Sequence, residues 1–150
     1  MAIGKPKVKN LPPEKSVKSV NPQNNDSQSI AWQFGSIDKD CELWGWNHLV
    51  KIDFDKIVSC LEKLETMTWS DIKSNSNHHL LEKCNFSKKA QDRLEEIKLD
   101  DLDYLFSLRL NSTCRIYGVR DGRVLKILWH DPHHKYECKD SAYPVSLQNR

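Results

Sequence analysis

The chain has 150 residues, which is enough for one ordinary domain with a hydrophobic core of its own. Only 38% of the residues are hydrophobic, a low fraction for a compact domain, and the formal net charge is +2. This balance excludes a protein that is basic over its whole surface, so any nucleic-acid site must be a local patch of cations.

The first 29 residues account for much of the low apolar fraction. They are rich in Lys, Pro, Asn and Ser, and such a segment cannot bury enough apolar surface to offset the entropy lost on ordering. Five Lys face two acidic residues here, a charge of +3, whereas residues 30–150 carry 18 basic and 19 acidic side chains, a charge of −1. We predict that residues 1–29 form a disordered basic tail, which either solubilises the domain or adds weak, salt-sensitive attraction to a polyanion.

Cysteine usage and hydropathy indicate the compartment. The chain has five Cys, an odd number, and none of them is in a CxxC spacing, which suits reduced thiols better than a disulfide framework. No apolar run approaches the roughly 18 residues that a membrane span needs, and the N-terminus has no hydrophobic signal core. We therefore expect a cytoplasmic protein.

The domain is predicted to be single and to begin with an aromatic-rich extension over residues 30–52. Its large aromatic side chains are Trp32, Phe34, Trp44 and Trp46. Aromatic residues at this density usually mark burial, and the two glycines of the segment favour short extended pieces and turns over a helix.

Helical patterns follow the extension. Apolar residues recur at helical spacing over residues 53–65, and Asp53 is the predicted N-cap. A short second helix is predicted to start at Thr68, where Thr-Trp-Ser-Asp approximates a capping box, and a polar loop follows over residues 74–79. A third helix is predicted over residues 87–98, with its first serine as the cap.

Strand patterns fill the next part of the chain. Residues 104–110, 114–120 and 123–130 are predicted strands, and the Asp-Gly pair at 121–122 is a strong signal for a two-residue hairpin turn. This order of elements predicts an α+β domain with two or three helices packed on one face of a small antiparallel sheet.

The predicted hairpin sorts its side chains onto two faces. With residues 121–122 as the turn, Tyr117 pairs with Lys126, and faces alternate along each strand. The predicted core face carries Cys114, Ile116, Gly118, Leu125, Ile127 and Trp129, whereas Val119, Val124 and Leu128 fall on the other face. The other face gathers polar groups, joined by Arg109 from the preceding strand, so that it presents Arg109, Arg115, Tyr117, Lys126 and His130.

Such a face supports RNA phosphodiester cleavage without a metal. A base removes the proton of the ribose 2′-hydroxyl, cations stabilise charge on the phosphoryl oxygens, and an acid protonates the leaving oxygen. His130 is the candidate base or acid, and Tyr117 is a second proton-transfer or base-stacking group. Arg109 and Arg115 are the candidate phosphate ligands, with Lys126 adding charge. The alternative interpretation is an ordinary solvent-exposed face of an antiparallel sheet.

A zinc site is a competing interpretation of the His-Asp-Pro-His-His sequence at residues 130–134. Three imidazoles and a carboxylate are suitable ligands, and Cys138 and the His78-His79 pair are further candidates. The spacing matches no standard zinc motif, so we assign no metal and no cofactor.

Residues 87–138 resemble the RelE/ParE-like toxin superfamily of bacterial toxin–antitoxin modules. The resemblance lies in a helix of SKKAQDRLEEI character, the strand LFSLRL, the hairpin RIYGVRDGRVLKILW and the ending LWHDPHH, which is similar to an uncharacterised bacterial branch. It implies a RelE-like fold and an antitoxin partner. The RelE branch implies ribosome-dependent mRNA cleavage, and the ParE branch implies gyrase inhibition without a nuclease site. Together with the predicted face, it implies catalytic roles for Arg115, Tyr117 and His130 and RNA-binding roles for Arg109, Lys126, His133, His134 and Lys135.

Two hypotheses therefore remain open. The first is a toxin that binds RNA or acts as a metal-independent endoribonuclease on mRNA. The second is a non-catalytic RelE-fold protein that acts through protein–protein contact, including inhibition of gyrase. The aromatic extension discriminates between them, since packing over the polar face would block the site and packing elsewhere would leave it open.

Overall fold

The computed structural model describes residues 26–134 and 138–144. Of the predicted tail, residues 26–29 contact the domain, because Asp26 forms ion pairs with Lys73 and Arg120 at 2.8 and 2.6 Å. The rest of the tail, and Lys135, lie outside the described residues. No helix within the described ranges combines the length and the apolar character needed to cross a membrane.

Five strands form one mixed sheet. They are β1 (Ala31–Gln33), β2 (His79–Glu82), β3 (Tyr104–Arg109), β4 (Arg115–Asp121) and β5 (Val124–Asp131). The order across the sheet is β1-β5-β4-β3-β2; β1 runs parallel to β5, and the other neighbours are antiparallel. The three predicted strands are confirmed, whereas the prediction of a purely antiparallel sheet is wrong.

Three helices complete the fold. They are α1 (Lys51–Leu64), α2 (Trp69–Ser74) and α3 (Lys88–Glu96), and short 3₁₀ turns cover Trp46–His48 and Lys83–Asn85.

The helix caps follow the sequence at two of three positions. Thr68 and Asp71 form the predicted capping box, with bonds of 3.1 and 3.2 Å between each side chain and the other residue's backbone N–H. Ser87 accepts a hydrogen bond from the Ala90 N–H at 3.1 Å and caps α3. The prediction for α1 is wrong, since its N-cap position is Val50 and Asp53 lies in the first turn, where the helix dipole favours a carboxylate.

Helices cover both faces of the sheet, which corrects the prediction of helices on one face. On one face, which we call the α1/α2 face, apolar side chains of α1, α2 and the sheet form one core. It includes Ile57, Leu61, Trp69, Phe106, Ile116 and Ile127. On the α3 face, a second core includes Ala90, Leu94, Leu105, Tyr117 and Trp129. A sheet buried on both sides has no fully exposed polar face, so a site on it must lie at an end or an edge.

The register of the β4–β5 hairpin differs from the predicted one. Asp121 pairs with Val124, so Gly122 and Arg123 form the turn, and Gly122 has a φ of 65°. Glycine adopts positive φ without the steric cost that a Cβ imposes, which fixes the turn one residue later than predicted.

A β-bulge interrupts the same hairpin between Tyr117 and Gly118. Gly118 pairs with Ile127 and Tyr117 pairs with Trp129, which leaves Leu128 as an extra residue in β5. A bulge reverses the alternation of faces beyond it. His130 therefore lies on the α1/α2 face opposite Ile116, and the next residue of β5 takes the α3 face opposite Arg115.

The aromatic extension lies along the β1 and β5 side of the sheet. Trp32 and Trp46 pack against the α1/α2 core, while Trp44 belongs to the α3 core and stacks at 5.0 Å from the Trp129 ring. Asp38 joins the extension to α3, since its carboxylate accepts two hydrogen bonds from Arg93 at 2.7 and 2.8 Å. The prediction that these aromatic residues are buried is confirmed for Trp44.

Candidate functional site

A pocket of about 440 Å³ opens on the α3 face, where β3 ends and β4 begins. Basic, imidazole and phenolic groups converge on it, and no acidic residue lines it within the described ranges. The lining residues are Asn77, His79, Leu80, Leu81, Ser107, Arg109, Arg115, His134, Tyr143 and Pro144. This composition suits an anionic ligand with an apolar or aromatic part.

Arg109 and Arg115 stand directly opposite each other on β3 and β4. Side chains so paired lie on the same face and within reach of each other, and two like charges there are destabilising. Arg109 donates to the Asn77 side-chain oxygen at 2.9 Å, and Arg115 donates to the Asn111 carbonyl at 2.7 Å. Neither arginine forms an ion pair with any acidic residue that the structure describes. Two guanidinium groups in this arrangement can bind an external anion, since a guanidinium group binds an oxyanion in bidentate fashion.

His134 forms the side of the pocket just after β5. Its backbone N–H donates to the Thr113 carbonyl at 2.9 Å, which ties it to the start of β4. Burial lowers the pKa of its imidazole to about 4, and the charges of Arg115 and Arg109 act in the same direction. Its Nδ1 is buried without a hydrogen-bond partner among the described residues, which disfavours protonation further. His134 is thus a neutral imidazole beside two cations, the state that a general base needs.

Two adjacent histidines at the start of β2 have different surroundings. His78 is buried, and its Nδ1 accepts a hydrogen bond from the Arg109 backbone N–H at 3.1 Å. Burial lowers the pKa of His78, so it is a neutral structural acceptor. His79 is exposed, pairs with Ser107 on β3 and lines the pocket. His79 is therefore the second imidazole that a ligand in the pocket can reach.

An aromatic wall closes the pocket beside α3. The Tyr143 ring lies 5.1 Å from Phe86 in an edge-to-face arrangement, and Phe86 lies 5.2 Å from Tyr117 in the same manner. Tyr143 is partly exposed and lines the pocket, whereas Tyr117 is completely buried. Burial raises the pKa of the Tyr117 hydroxyl, which has no hydrogen-bond partner among the described residues. Tyr117 therefore packs behind the aromatic wall in the core, and Tyr143 is the residue of the wall that lines the pocket.

The structure brings together three of the predicted site residues. Arg109, Arg115 and His134 meet in the pocket, and the expectation that Arg109 and Arg115 share one face is confirmed. His130 is not among them. It is 5% exposed on the α1/α2 face, where its ring lies 6.5 Å from Trp46, and its position follows from the bulge in β5.

The other predicted residues lie elsewhere. Lys126 is near the hairpin turn and pairs with Asp121 at 3.2 Å, at the opposite end of β5 from the pocket. His133 donates its backbone N–H to Asp131 at 2.8 Å and does not line the pocket. Lys135 lies outside the described residues. Within the described residues, no three or more His, Cys, Asp or Glu side chains converge as metal ligands.

Two functional side chains of the pocket, His79 and Tyr143, were not predicted from the sequence. His79 was placed in a polar loop, although it begins the short His-Leu-Leu-Glu strand, whose two apolar residues are the signal that indicates β2. Tyr143 comes from a segment near the C-terminus without a periodic pattern, so nothing in the local sequence places it beside the arginines.

We expect the stability of the domain to fall as the pH is lowered from about 6.5 towards about 4. The pKa values of His78, His130 and His134 all lie below the ordinary 6.5, mainly because burial disfavours the charged ring. The unfolded chain therefore binds more protons than the folded chain in this window, and protons favour unfolding. Burial raises the pKa of Asp131, so the folded chain binds this one proton more tightly than the unfolded chain does. This single group opposes the loss of stability that the three histidines cause. Urea unfolding at about pH 7 and about pH 4.5 measures the slope, and a His134→Gln variant should show a shallower one. A midpoint independent of pH would contradict this expectation.

Comparison with known proteins adds no family assignment, because no family model, no curated protein and no solved structure matches the chain.

Proposed function

We propose that the protein is a RelE-type toxin whose pocket on the α3 face cleaves RNA, with mRNA as the target and no metal required. The observation that carries the proposal is the pair Arg109 and Arg115, directly opposed and in no ion pair with a described acidic residue, beside the neutral His134. A phosphodiester offers the negative charge that the arginines lack, and the adjacent ribose offers the proton that His134 can accept.

The proposed reaction uses the 2′-hydroxyl of the substrate as nucleophile. His134 accepts the 2′-hydroxyl proton, the 2′-oxygen bonds to phosphorus, and the bond from phosphorus to the 5′-oxygen breaks. His79 is the proposed general acid and gives a proton to the leaving 5′-oxygen. Arg109 and Arg115 hold the non-bridging oxygens and stabilise the charge that grows on them. The products are a 2′,3′-cyclic phosphate and a 5′-hydroxyl end.

The shape of the pocket favours an unpaired strand over a duplex. Tyr143 offers part of its ring beside the arginines, and an unstacked base can lie on such a ring. No residue of the aromatic extension, residues 30–52, lines the pocket. The extension does cover part of the predicted polar face, since Trp44 shares a core with Tyr117 and the Trp46 ring lies 6.5 Å from His130. The pocket beside Arg109 and Arg115 is the part of that face that stays open, and this opening supports the catalytic hypothesis.

Two partners belong to this proposal. The substrate is mRNA, either free or on the ribosome, and a cognate antitoxin protein would hold the activity in check. No carboxylate is among the described residues that line this cationic pocket, so an acidic segment of such an antitoxin can neutralise it.

A matched pair of histidine variants tests the assignment. We expect His134→Gln to lower the rate of cleavage of a single-stranded RNA by about 100-fold, because a general base typically contributes 10²–10⁴-fold. His130→Gln alters a buried ring on the other face and should retain a rate within about two-fold of the wild type. The measurement is the initial rate with purified full-length chain and an end-labelled RNA, with the product ends analysed for the cyclic phosphate. Loss of cleavage in His130→Gln, with His134→Gln active, would contradict the assignment.

Growth arrest on induced expression separates the biological role from the chemistry. Wild-type protein should arrest growth, and His134→Gln at a matched soluble level should not. No arrest and no cleavage by the wild type, with and without ribosomes, would sink the toxin proposal.

A non-catalytic role in protein–protein contact, including gyrase inhibition, is the second candidate. It is favoured by apolar side chains around the N-terminal end of α1, where Val50, Ile52 and Phe54 are 56%, 62% and 48% exposed. Exposed apolar residues grouped in this way often mark protein-binding surfaces. Growth arrest that Ile52→Asp abolishes and His134→Gln leaves intact would establish this second candidate.

A further inference from the structure

Asp131 is a fully buried carboxylate at the end of β5, opposite Arg115 in the sheet register. Its Oδ1 accepts a hydrogen bond from the His133 backbone N–H at 2.8 Å, and its Oδ2 accepts one from the Ala142 backbone N–H at 2.8 Å. The Ser141 hydroxyl lies 3.4 Å from the same Oδ2. All of these donors belong to loop segments and none to the sheet.

The two bonded segments are the ones that build one side of the pocket. The first leads directly into His134, and the second leads directly into Tyr143 and Pro144, which all line the pocket. Beyond the backbone bond to Thr113, His134 has no other hydrogen bond among the described residues. The carboxylate of Asp131 is therefore the group that the histidine segment and the tyrosine segment have in common.

We propose that Asp131 is a positioning residue, whose carboxylate holds the His134 and Tyr143 segments together against the two arginines. This inference rests on the proposed function only where it treats the pocket as an RNA site, since the hydrogen bonds of Asp131 do not depend on any reaction. A carboxylate can accept from both segments at once because it has two acceptor oxygens, whereas an asparagine side chain has one. Asp131→Asn must therefore lose its hydrogen bond to one segment or the other.

The test follows the titration of the His134 imidazole by NMR in the full-length chain. If Asp131 positions the ring, Asp131→Asn lets it move away from the arginines into water, and its pKa should rise from about 4 towards 6.5. If Asp131 acts only as a nearby negative charge, its removal should lower the pKa of His134 instead. If Asp131 serves stability alone, the titration should not move. A lowered or unchanged pKa would therefore overturn the proposal.

A second measurement and a control complete the experiment. Inorganic phosphate, added as the probe anion, should bind about 10-fold more weakly to Asp131→Asn than to the wild type because one side of the pocket is displaced. Asp38→Asn is the matched control, since it disturbs another buried carboxylate on the α3 face, the partner of Arg93 and Trp129. It should lower stability without shifting the His134 titration.

Two further outcomes keep the proposals separable. Should Asp131→Asn fail to fold, Asp131→Glu provides the gentler change, because it keeps both acceptor oxygens and displaces them by one methylene. A smaller rise of the His134 pKa is expected for it, and no rise would overturn the proposal. Failure of the wild type to cleave RNA would defeat the proposed function and leave the titration result intact. Cleavage by the wild type together with an unmoved titration would defeat only the positioning role.

Discussion

Replacing both Arg109 and Arg115 with Ala is expected to lower RNA cleavage by about 10³-fold. Loss of one donor to a developing oxyanion typically costs 10²–10³-fold in rate. In the proposed reaction, the two arginines, which are directly opposed in the sheet, hold the same phosphate. The single variants should each lose about 10²-fold, and their effects should not multiply, because residues that act on one group behave as a unit. Initial rates of the three variants on the same end-labelled RNA measure the pattern.

Lys126→Ala is the control for this prediction. Lys126 is a cation on the same two strands, but it lies by the hairpin turn and is paired with Asp121. Its loss should change the cleavage rate by less than about two-fold, since an exposed ion pair contributes little. An equal loss in Lys126→Ala and in the double variant would mean that general positive charge matters rather than this pocket. Cleavage at the wild-type rate by the double variant would contradict the phosphate role outright.

Asp38→Ala is expected to destabilise the domain by about 3 kcal/mol. Asp38 is 6% exposed and accepts hydrogen bonds from the Nε and Nη2 groups of Arg93, from the Trp129 indole N–H at 2.9 Å and from the Cys41 backbone N–H at 3.2 Å. Removing one partner of a buried pair typically costs 3–5 kcal/mol, because the other charge stays behind without compensation. We expect the lower end of this range, since Arg93 keeps its bond to Glu96 at 2.9 Å.

The exposed pair of Lys51 and Asp55 provides the comparison. Its distance of 2.8 Å nearly equals that of the Arg93–Asp38 pair, but its side chains are 88% and 58% exposed. Asp55→Ala should therefore cost less than about 0.5 kcal/mol. Urea unfolding of both variants near neutral pH measures the difference. A loss in Asp38→Ala within about 1 kcal/mol of that in Asp55→Ala would show that burial does not strengthen this pair.

Local elements of the fold were predictable because local patterns specify them. The third helix begins behind Ser87 as its cap predicts, and the Thr68 capping box starts α2. Apolar periodicity locates α1, and its start was misplaced by two residues because Asp53 serves the first turn rather than the cap. Such capping interactions involve residues within about one helical turn of each other, so they can be predicted without knowing the tertiary structure.

Features that depend on distant pairing were not predictable. The parallel pairing of β1 with β5 joins two segments that are far apart in the sequence, and no local pattern in either predicts the other as its partner. The Arg123 side chain, for example, donates to the Ser29 carbonyl across 94 positions of sequence. Assigning both faces of the sheet to helices also required knowing that α3 packs opposite α1. The alternation of polar and apolar residues in β4 and β5 does not distinguish an exposed face from one covered by a further helix.

The residues of the candidate site show the same difference between local and distant determinants. Arg109 and Arg115 were correctly placed together because the β3–β4 pairing is regular, so counting by two is sufficient. His130 was wrongly placed because the count had to cross the bulge at Leu128. His134 was named through the family resemblance and as a possible zinc ligand, and neither placed it beside the arginines. Its position there depends on the chain segment at Asp131 and Pro132.

The bulge also decides where β5 tolerates a deletion. Removing position 128 would leave Ile127 opposite Gly118 and Trp129 opposite Tyr117, because the pairing on either side of Leu128 is already regular. Both ends of the strand would keep their faces, with only the buried Leu128 side chain lost from the core. A deletion between Trp129 and the end of the strand would instead move the Asp131 side chain from the α3 face to the α1/α2 face, away from Arg115. Length variation that spares the pocket is thus confined to one position of the strand.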